Sequence, residues 1–121
     1  MQSHKDLKVW QYAIDLAEDI YIITRNYPKD ELYAMVSQMR RAVTSISMNI
    51  AEGYGRGSSN ETIHFLYIAS GSAAELDTQV ILSQRFAYID NEIAERLSSQ
   101  ITVIRKMLSS LIASLKKNHI P

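Results

Sequence analysis

The chain has 121 residues, of which 46% are hydrophobic, and its 13 basic and 13 acidic side chains give a formal net charge of zero. This length and apolar fraction fit one globular domain with a buried core, and the neutral balance leaves nucleic-acid binding to local clusters of charge. Cysteine is absent, which excludes disulfides, thiolate metal sites and a cysteine nucleophile.

The remaining composition indicates where the protein is found. No apolar run approaches the length that a membrane-spanning helix needs. Residues 1–6 contain no apolar segment of the kind that signal peptides carry. Together with the lack of cysteine, these features predict a cytoplasmic protein that does not enter a membrane.

The first helix is predicted over about residues 6–26. Its apolar side chains cover an arc of roughly 220°, whereas one buried face needs only about 100°. This breadth favours two neighbours on different sides, and the second neighbour could be another subunit. The alternative is a wide core contact with some exposed apolar surface, which is common in proteins. Tyr27 and Pro28 end the helix, because a residue before proline is disfavoured in the helical region.

The second helix is predicted over about residues 30–52, and it carries two stripes. The apolar stripe would enter the core. The polar stripe shares one helix face because its members are three or four residues apart. Its residues are Gln38, Arg41, Ser45, Asn49 and Glu52.

The polar stripe has two interpretations. In the first it is a structural network, in which Arg41 or Arg56 pairs with Glu52 or Glu75 and the other polar groups bond nearby atoms. In the second it is a surface for a ligand or for RNA. Spacing alone favours the structural network.

Three glycines, at positions 53, 55 and 57, follow the second helix. Gly53 is expected to end that helix in the left-handed conformation. Ser58 and Glu61 then form a predicted capping box at the start of the third helix. The segment is not a nucleotide-binding loop, because it follows a helix and lacks the required lysine.

The third and fourth helices are predicted over about residues 59–86 and 91–117. Gly71 and its small neighbours would let another helix approach the third helix closely. The fourth helix has a nearly heptad apolar seam, which suits left-handed bundle packing. Four long helices with short connections predict an all-α fold, an antiparallel up-down-up-down four-helix bundle that forms one domain over residues 1–121.

No catalytic, metal or cofactor site is expected. Glu61 and His64 have the spacing found in di-iron bundles, but those sites need a second such pair and two more carboxylates. No serine is placed at a strand-to-helix turn beside a base. The sequence therefore predicts a protein that is not an enzyme and has no evident small-molecule substrate.

Basic residues supply the candidate nucleic-acid-binding positions. Arginines near an aromatic ring, here Tyr54, can hold RNA through phosphate contacts and stacking. Late cations on the fourth helix could assist them. The candidate residues are Arg40, Arg41, Arg56, Lys116 and Lys117.

The segment from Gln38 to Arg56, with its block Asn49-Ile50-Ala51-Glu52-Gly53, closely resembles the four-helix-bundle family encoded within intervening sequences of 23S ribosomal RNA genes. Supporting pieces are the segments at residues 7–10, 27–28, 65–72 and 75–76. The resemblance covers roughly residues 6–115. Members of that family often have an aromatic residue where this chain has Thr62, and a glycine where it has Ala87.

The resemblance implies a homopentameric ring of bundles. The family is also similar to the accessory proteins of diversity-generating retroelements, which are bundle pentamers that bind a reverse transcriptase and nucleic acid. We therefore expect a homo-oligomer that associates with RNA, in which the candidate arginines and lysines contact phosphate. The alternative is a protein-interaction scaffold or accessory subunit with no nucleic-acid binding of its own.

Overall fold

The computed structural model describes residues 3–119, with the side chains of residues 3–118. Its four long helices are α1 (Lys8–Thr24), α2 (Ser37–Gly55), α3 (Ser59–Arg85) and α4 (Asn91–His119). No strand occurs in this described range, so the predicted all-α fold is confirmed. Residues 1, 2, 120 and 121 of the predicted domain lie outside it.

The segment between α1 and α2 has its own geometry. A 3₁₀ turn at Lys29–Glu31 leads into a π-helical turn at Leu32–Val36, and only then does α2 begin. The sequence predicted one continuous helix from about residue 30. Helical structure does start there, but the first two turns are not α-helical.

Contacts between helices establish their relative directions. Hydrogen bonds join α2 to α3 at three levels of the bundle. Residues with higher numbers on α2 bond to residues with lower numbers on α3. The bonds join Met39 to Ser83 (3.5 Å), Ser45 to Ser72 (2.8 Å) and Gly53 to Thr62 (2.8 Å). The pairs between α3 and α4 follow the same rule, with Asp77 bonded to Ser98 (3.3 Å) and Tyr67 to Lys116 (2.7 Å). Both pairs of helices are therefore antiparallel.

The fourth side of the bundle closes between α1 and α4. Asp19 accepts a hydrogen bond from the Gln100 amide at 3.1 Å, and Arg96 lies 3.7 Å from the same carboxylate. Near the start of α1, Leu7 and Lys8 share a surface depression with residues 106–111 of α4. Rising numbers on α1 again meet falling numbers on α4, as the up-down-up-down order requires.

Each helix contributes apolar side chains to one core. Burying such a side chain contributes about 1.5–3 kcal/mol relative to leaving it exposed, so the periodic stripes provide most of the stabilisation. The largest of these side chains, each fully buried, are Leu16 and Ile20 on α1, Met39, Ile46 and Ile50 on α2, Leu66 and Leu76 on α3, and Leu97, Ile101, Ile104 and Leu108 on α4.

The predicted end of the second helix is wrong. The helix continues past residue 52 to Gly55, and Gly53 is a buried helical residue. A Cβ atom at Gly53 would lie 3.0 Å from the Phe65 Cβ and 3.2 Å from the Thr62 carbonyl oxygen. Glycine is needed there because α3 passes so closely. The glycine with a left-handed conformation is Gly57, whose φ is +80°.

The first turn of α3 begins where the capping pattern predicts. The Ser58 hydroxyl accepts a hydrogen bond from the Glu61 N–H at 3.3 Å. Within the described residues the Glu61 carboxylate makes no reciprocal bond, so only half of the predicted capping box forms. Gly71, which was expected to let another helix approach, has no atom within 4 Å of a Cβ built on it. The predicted close packing at Gly71 is therefore absent among the described residues.

The turn after α3 contains a residue in the left-handed region. Ala87 has φ +63°. Its N–H donates to the Gln84 carbonyl at 3.0 Å, and the Tyr88 N–H donates to the Ser83 carbonyl at 2.9 Å. These two bonds form the Schellman motif, which satisfies carbonyls that a helix end would otherwise leave unpaired.

None of the helices in residues 3–119 combines the length and hydrophobicity needed to cross a membrane.

Candidate functional site

Arg40 is held at the junction of α1 and α2. Its Nε donates to the Thr24 hydroxyl at 3.1 Å and its terminal nitrogen to the Tyr21 carbonyl at 3.3 Å. The guanidinium carbon lies 4.5 Å from the centroid of the Tyr21 ring. A cation here satisfies the last carbonyls of α1 and faces the negative end of its dipole. Arg40 therefore fastens α1 to α2.

Arg41, the next residue, is exposed. Its guanidinium makes no hydrogen bond or ion pair with any described residue. A guanidinium carries five N–H donors in a fixed fork that matches phosphate or carboxylate oxygens. Arg41 is thus available to bind an anion.

These two arginines border a shallow groove, which we call the arginine–tyrosine groove. Its volume is about 360 Å³, and none of its lining residues is acidic. Tyr33 projects from the π-helical turn and is 93% exposed. Tyr33 was not among the residues predicted from the sequence, because its exposure follows from the turn geometry. The lining residues are Tyr21, Leu32, Tyr33, Val36, Ser37, Arg40, Arg41 and Thr44.

Glu31 fixes the turn that carries Tyr33. One carboxylate oxygen accepts from the Met35 N–H at 3.2 Å, and the other accepts from the Tyr88 hydroxyl at 2.6 Å. The bond from Tyr88, and then that from Met35, lowers the pKa of Glu31. The same hydrogen bond, together with burial, raises the pKa of Tyr88 to about 12. The π-helical turn is therefore attached to the turn between α3 and α4.

Arg56 lies at the other end of α2, and roughly 22 Å of helix separate it from Arg41. Its Nε is 2.9 Å from a Glu52 carboxylate oxygen, and its guanidinium lies 5.0 Å from the Phe65 ring centroid. Tyr54, expected to lie among the arginines, is partly buried against the core, and this burial raises its pKa. The chain does not bring Arg40, Arg41 and Arg56 into one cluster.

Lys116 and Lys117 are exposed near the end of α4. The Lys116 amino group donates to the Tyr67 hydroxyl at 2.7 Å and lies 5.1 Å from that ring's centroid. Because the helices alternate in direction, both lysines are at the same end of the bundle as Arg56. The five candidate cations therefore divide between the two ends.

The polar stripe of α2 also divides. The Asn49 amide donates to the Ser45 carbonyl (2.8 Å) and hydroxyl (2.9 Å), and the Ser45 hydroxyl lies 2.8 Å from that of Ser72 on α3. Glu52 forms its pair with Arg56. This part of the stripe makes the bonds that a structural network needs.

The other part of the stripe lines an unfilled space between α2 and α3, which we call the polar cleft. Gln38, Arg41 and Glu75 make no side-chain hydrogen bond or ion pair among the described residues. Behind them, Gln79 is only 6% exposed and its carbonyl oxygen accepts no hydrogen bond. The cleft has a volume of about 520 Å³ and is lined by Gln38, Arg41, Ala42, Ser45, Ser72, Glu75 and Gln79.

Within residues 3–119, the Glu61–His64 pair has no third acidic or imidazole partner. Among the described residues, no three His, Asp or Glu side chains come together as metal ligands would. The His64 ring instead packs edge-on against Phe65, with centroids 5.3 Å apart.

A family model described as the 23S rRNA-intervening sequence protein matches residues 5–110. The chain is also similar to a crystal structure of a protein of unknown function from the S23 ribosomal protein family of Bacteroides thetaiotaomicron. The two are 29% identical and superpose with a TM-score of 0.80 over 87% of this chain and 95% of that chain. No curated protein matches.

Proposed function

The chain belongs to the 23S rRNA-intervening sequence protein family, and from that premise we propose that it is a non-enzymatic, cytoplasmic bundle that associates with RNA as a homo-oligomer. The observation that carries this proposal is the arginine–tyrosine groove. RNA is the partner because the groove combines cations with an exposed ring and its lining contains no acid. Lys116, Lys117 and Arg56 would extend phosphate contacts to the other end of the bundle.

The groove fits an unpaired nucleotide strand. Tyr33 offers a nearly free ring on which a base can stack. Arg41 offers a free guanidinium to phosphate, and Arg40 adds positive potential while it remains bonded to α1. Single-stranded RNA suits this arrangement better than duplex, because stacking requires unpaired bases.

Exposed apolar side chains support the proposed self-association. On α1 and α3, large hydrophobic residues that do not enter the core remain between 37% and 53% exposed. A second copy covering them would remove apolar area from water. We propose that the chain forms the homopentameric ring that the family resemblance implies. We also propose that it is similar to the accessory proteins of diversity-generating retroelements. These residues are Tyr12, Ile14 and Ile22 on α1, and Tyr67, Ile68, Ile81 and Leu82 on α3, with Phe86 directly after α3.

Fluorescence anisotropy with a labelled single-stranded RNA tests the groove. We expect Tyr33→Ala to weaken binding by about 1–3 kcal/mol, the usual value of one stacked base. Arg41→Gln should reduce the slope of log affinity against log salt by about 1, because one phosphate contact is lost. Arg105→Gln, an exposed arginine on α4 outside the groove, is the matched control and should bind as the wild type does. Absent or salt-independent binding contradicts the proposal.

Light scattering of the purified protein, with absorbance at two wavelengths recorded on the same peak, tests assembly. A mass of five subunits of 13.8 kDa with co-eluting nucleic acid is the expected result. A monomer contradicts the proposed oligomer.

A protein-interaction scaffold is the second candidate, favoured by one observation. Arg40 and Arg56 are already bonded within the chain. If that is their whole role, Arg40→Glu with Arg56→Glu should unfold the protein or dissociate its oligomer. A folded, oligomeric double variant that has lost RNA binding would instead favour the groove.

A further inference from the structure

The polar cleft has two chemically different walls. On α2, Arg41 presents a cation and Gln38, one turn away, presents an amide. On α3, Glu75 presents an anion, and Gln79, one turn away, also lines the cleft. We propose that this cleft binds a small zwitterion, namely a free α-amino acid or another small molecule that carries both an ammonium and a carboxylate.

The charges give the orientation of that ligand. Arg41 and Glu75 face the same space, yet they form no ion pair with each other or with another described residue. A carboxylate toward α2 would accept charge-assisted hydrogen bonds from the Arg41 guanidinium. An ammonium toward α3 would donate to the Glu75 carboxylate, and neither charge on the protein would then be left without a counter-charge.

Gln79 gives a second reason, independent of the charges, to place the ligand's ammonium toward α3. Its side chain is 6% exposed and its carbonyl oxygen has no donor. Buried polar atoms in native proteins almost always have a partner, because leaving one unpaired costs free energy. An ammonium has three donors, so one group can bond to Glu75 and, when the Gln79 amide turns toward the cleft, to its carbonyl oxygen as well.

The serine pair at the base of the cleft favours the carboxylate end. The Ser45 hydroxyl accepts from the Asn49 amide at 2.9 Å and lies 2.8 Å from the Ser72 hydroxyl. If Ser45 donates its proton to Ser72, as acceptance from Asn49 favours, the Ser72 proton is left to donate to a ligand. The cleft volume of about 520 Å³ lies in the usual range of small-molecule sites.

The test is isothermal titration of the full chain with a panel of free α-amino acids. At least one should bind. Its N-acetylated form lacks the ammonium and its amide form lacks the carboxylate, and each should bind about tenfold to a hundredfold more weakly, as loss of one charge-assisted hydrogen bond requires. Absence of binding across the panel, or equal binding of the blocked forms, overturns the proposal.

Variants assign the binding to the cleft. Glu75→Gln should weaken binding of that amino acid by about tenfold or more. Glu95→Gln, an exposed acid on α4 outside the cleft, should bind as the wild type does. If Glu75→Gln binds normally, the site is elsewhere. If a double-mutant cycle on stability shows strong coupling between Arg41 and Glu75, they pair with each other in solution and the cleft holds no zwitterion.

Arg41 lines both the polar cleft and the arginine–tyrosine groove, so this inference is distinguished from RNA binding by the residues that the two sites do not share. Glu75 and Gln79 do not line the arginine–tyrosine groove, and Tyr33 does not line the cleft. Glu75→Gln should therefore leave RNA affinity unchanged.

Discussion

Ala87 illustrates how one residue can carry a cost that the rest of the chain offsets. Its φ of +63° places an L side chain in the left-handed region, where the Cβ atom crowds the following carbonyl. The conformation persists because the Schellman bonds of the α3 terminus and the packing of the next residues require it. Glycine adopts this conformation without the steric cost.

Replacing Ala87 with glycine should stabilise the protein. We expect Ala87→Gly to raise the free energy of unfolding by about 1 kcal/mol, since relief of the strained φ exceeds the greater chain entropy of glycine when unfolded. Urea unfolding followed by circular dichroism measures this change. Ala113→Gly, at an exposed and regular position of α4, should instead lower stability by up to about 1 kcal/mol. A loss of stability in both variants would contradict the strain at Ala87.

At the scale of the element, α2 shows what sequence can and cannot specify. Its stripes were predictable, because residues three and four apart share a face whatever surrounds the helix. Its end was not, because Gly53 remains helical for a tertiary reason, the close approach of α3. The π-helical turn that exposes Tyr33 is equally a product of tertiary contacts, since it depends on Glu31 and Tyr88, 57 positions apart.

Two glycines of α2 give a matched test of the close packing between α2 and α3. Gly53→Ala should lower stability by about 1–3 kcal/mol, because the new methyl would meet the Phe65 Cβ and the backbone of α3. Gly55→Ala has no atom within 4 Å of its Cβ, so it should be neutral or stabilise by up to about 1 kcal/mol. Chemical denaturation of both variants measures the difference. Equal effects would contradict the close contact of α2 with α3.

For the candidate sites, the sequence predicted which polar residues of α2 bond to their neighbours better than it predicted how the charged residues lie relative to one another. Ser45 and Asn49 were predicted to bond nearby groups, and they do so. Arg40 and Arg56 were expected to act together, but they lie at opposite ends of one helix. Separation along a helix axis could have been read from residue numbers. The unpaired state of Arg41 and Glu75 could not, because it depends on the distance between two helices.

At the scale of the whole molecule, the Tyr88–Glu31 bond joins the turn between α3 and α4 to the segment before α2. It should make stability depend on pH. The pKa of Tyr88 is raised from 10.0 to about 12 in the folded protein, so the folded state holds this proton more tightly. The contribution is fully present below pH 10 and is lost as the pH rises from 10 to 12. Burial raises the pKa of Tyr27 and Tyr54 in the same direction.

Urea midpoints measured across that pH interval check the prediction. The wild type should lose stability more steeply than Tyr88→Phe, which has no proton to lose at that position. Tyr33→Phe, at a 93% exposed position, should follow the wild-type curve. Parallel curves for wild type and Tyr88→Phe would show that the bond does not form in solution. In acid, the lowered pKa of Glu31 gives the opposite trend, with stability lost as the pH falls below the ordinary carboxyl range.

The order of the helices also bears on how quickly the chain finds its native state. Each helix packs against the one that follows it, while the closing of α1 against α4 and the Tyr88–Glu31 bond join more distant parts of the sequence. Local contacts of this kind cost little loop entropy, and proteins rich in them fold in roughly microseconds to milliseconds. The hairpin of α2 and α3 is the natural nucleus, because its contact between Gly53 and Thr62 is separated by only nine residues. A newly synthesised chain would then be folded before it meets the second copy or the RNA strand that we propose as its partners.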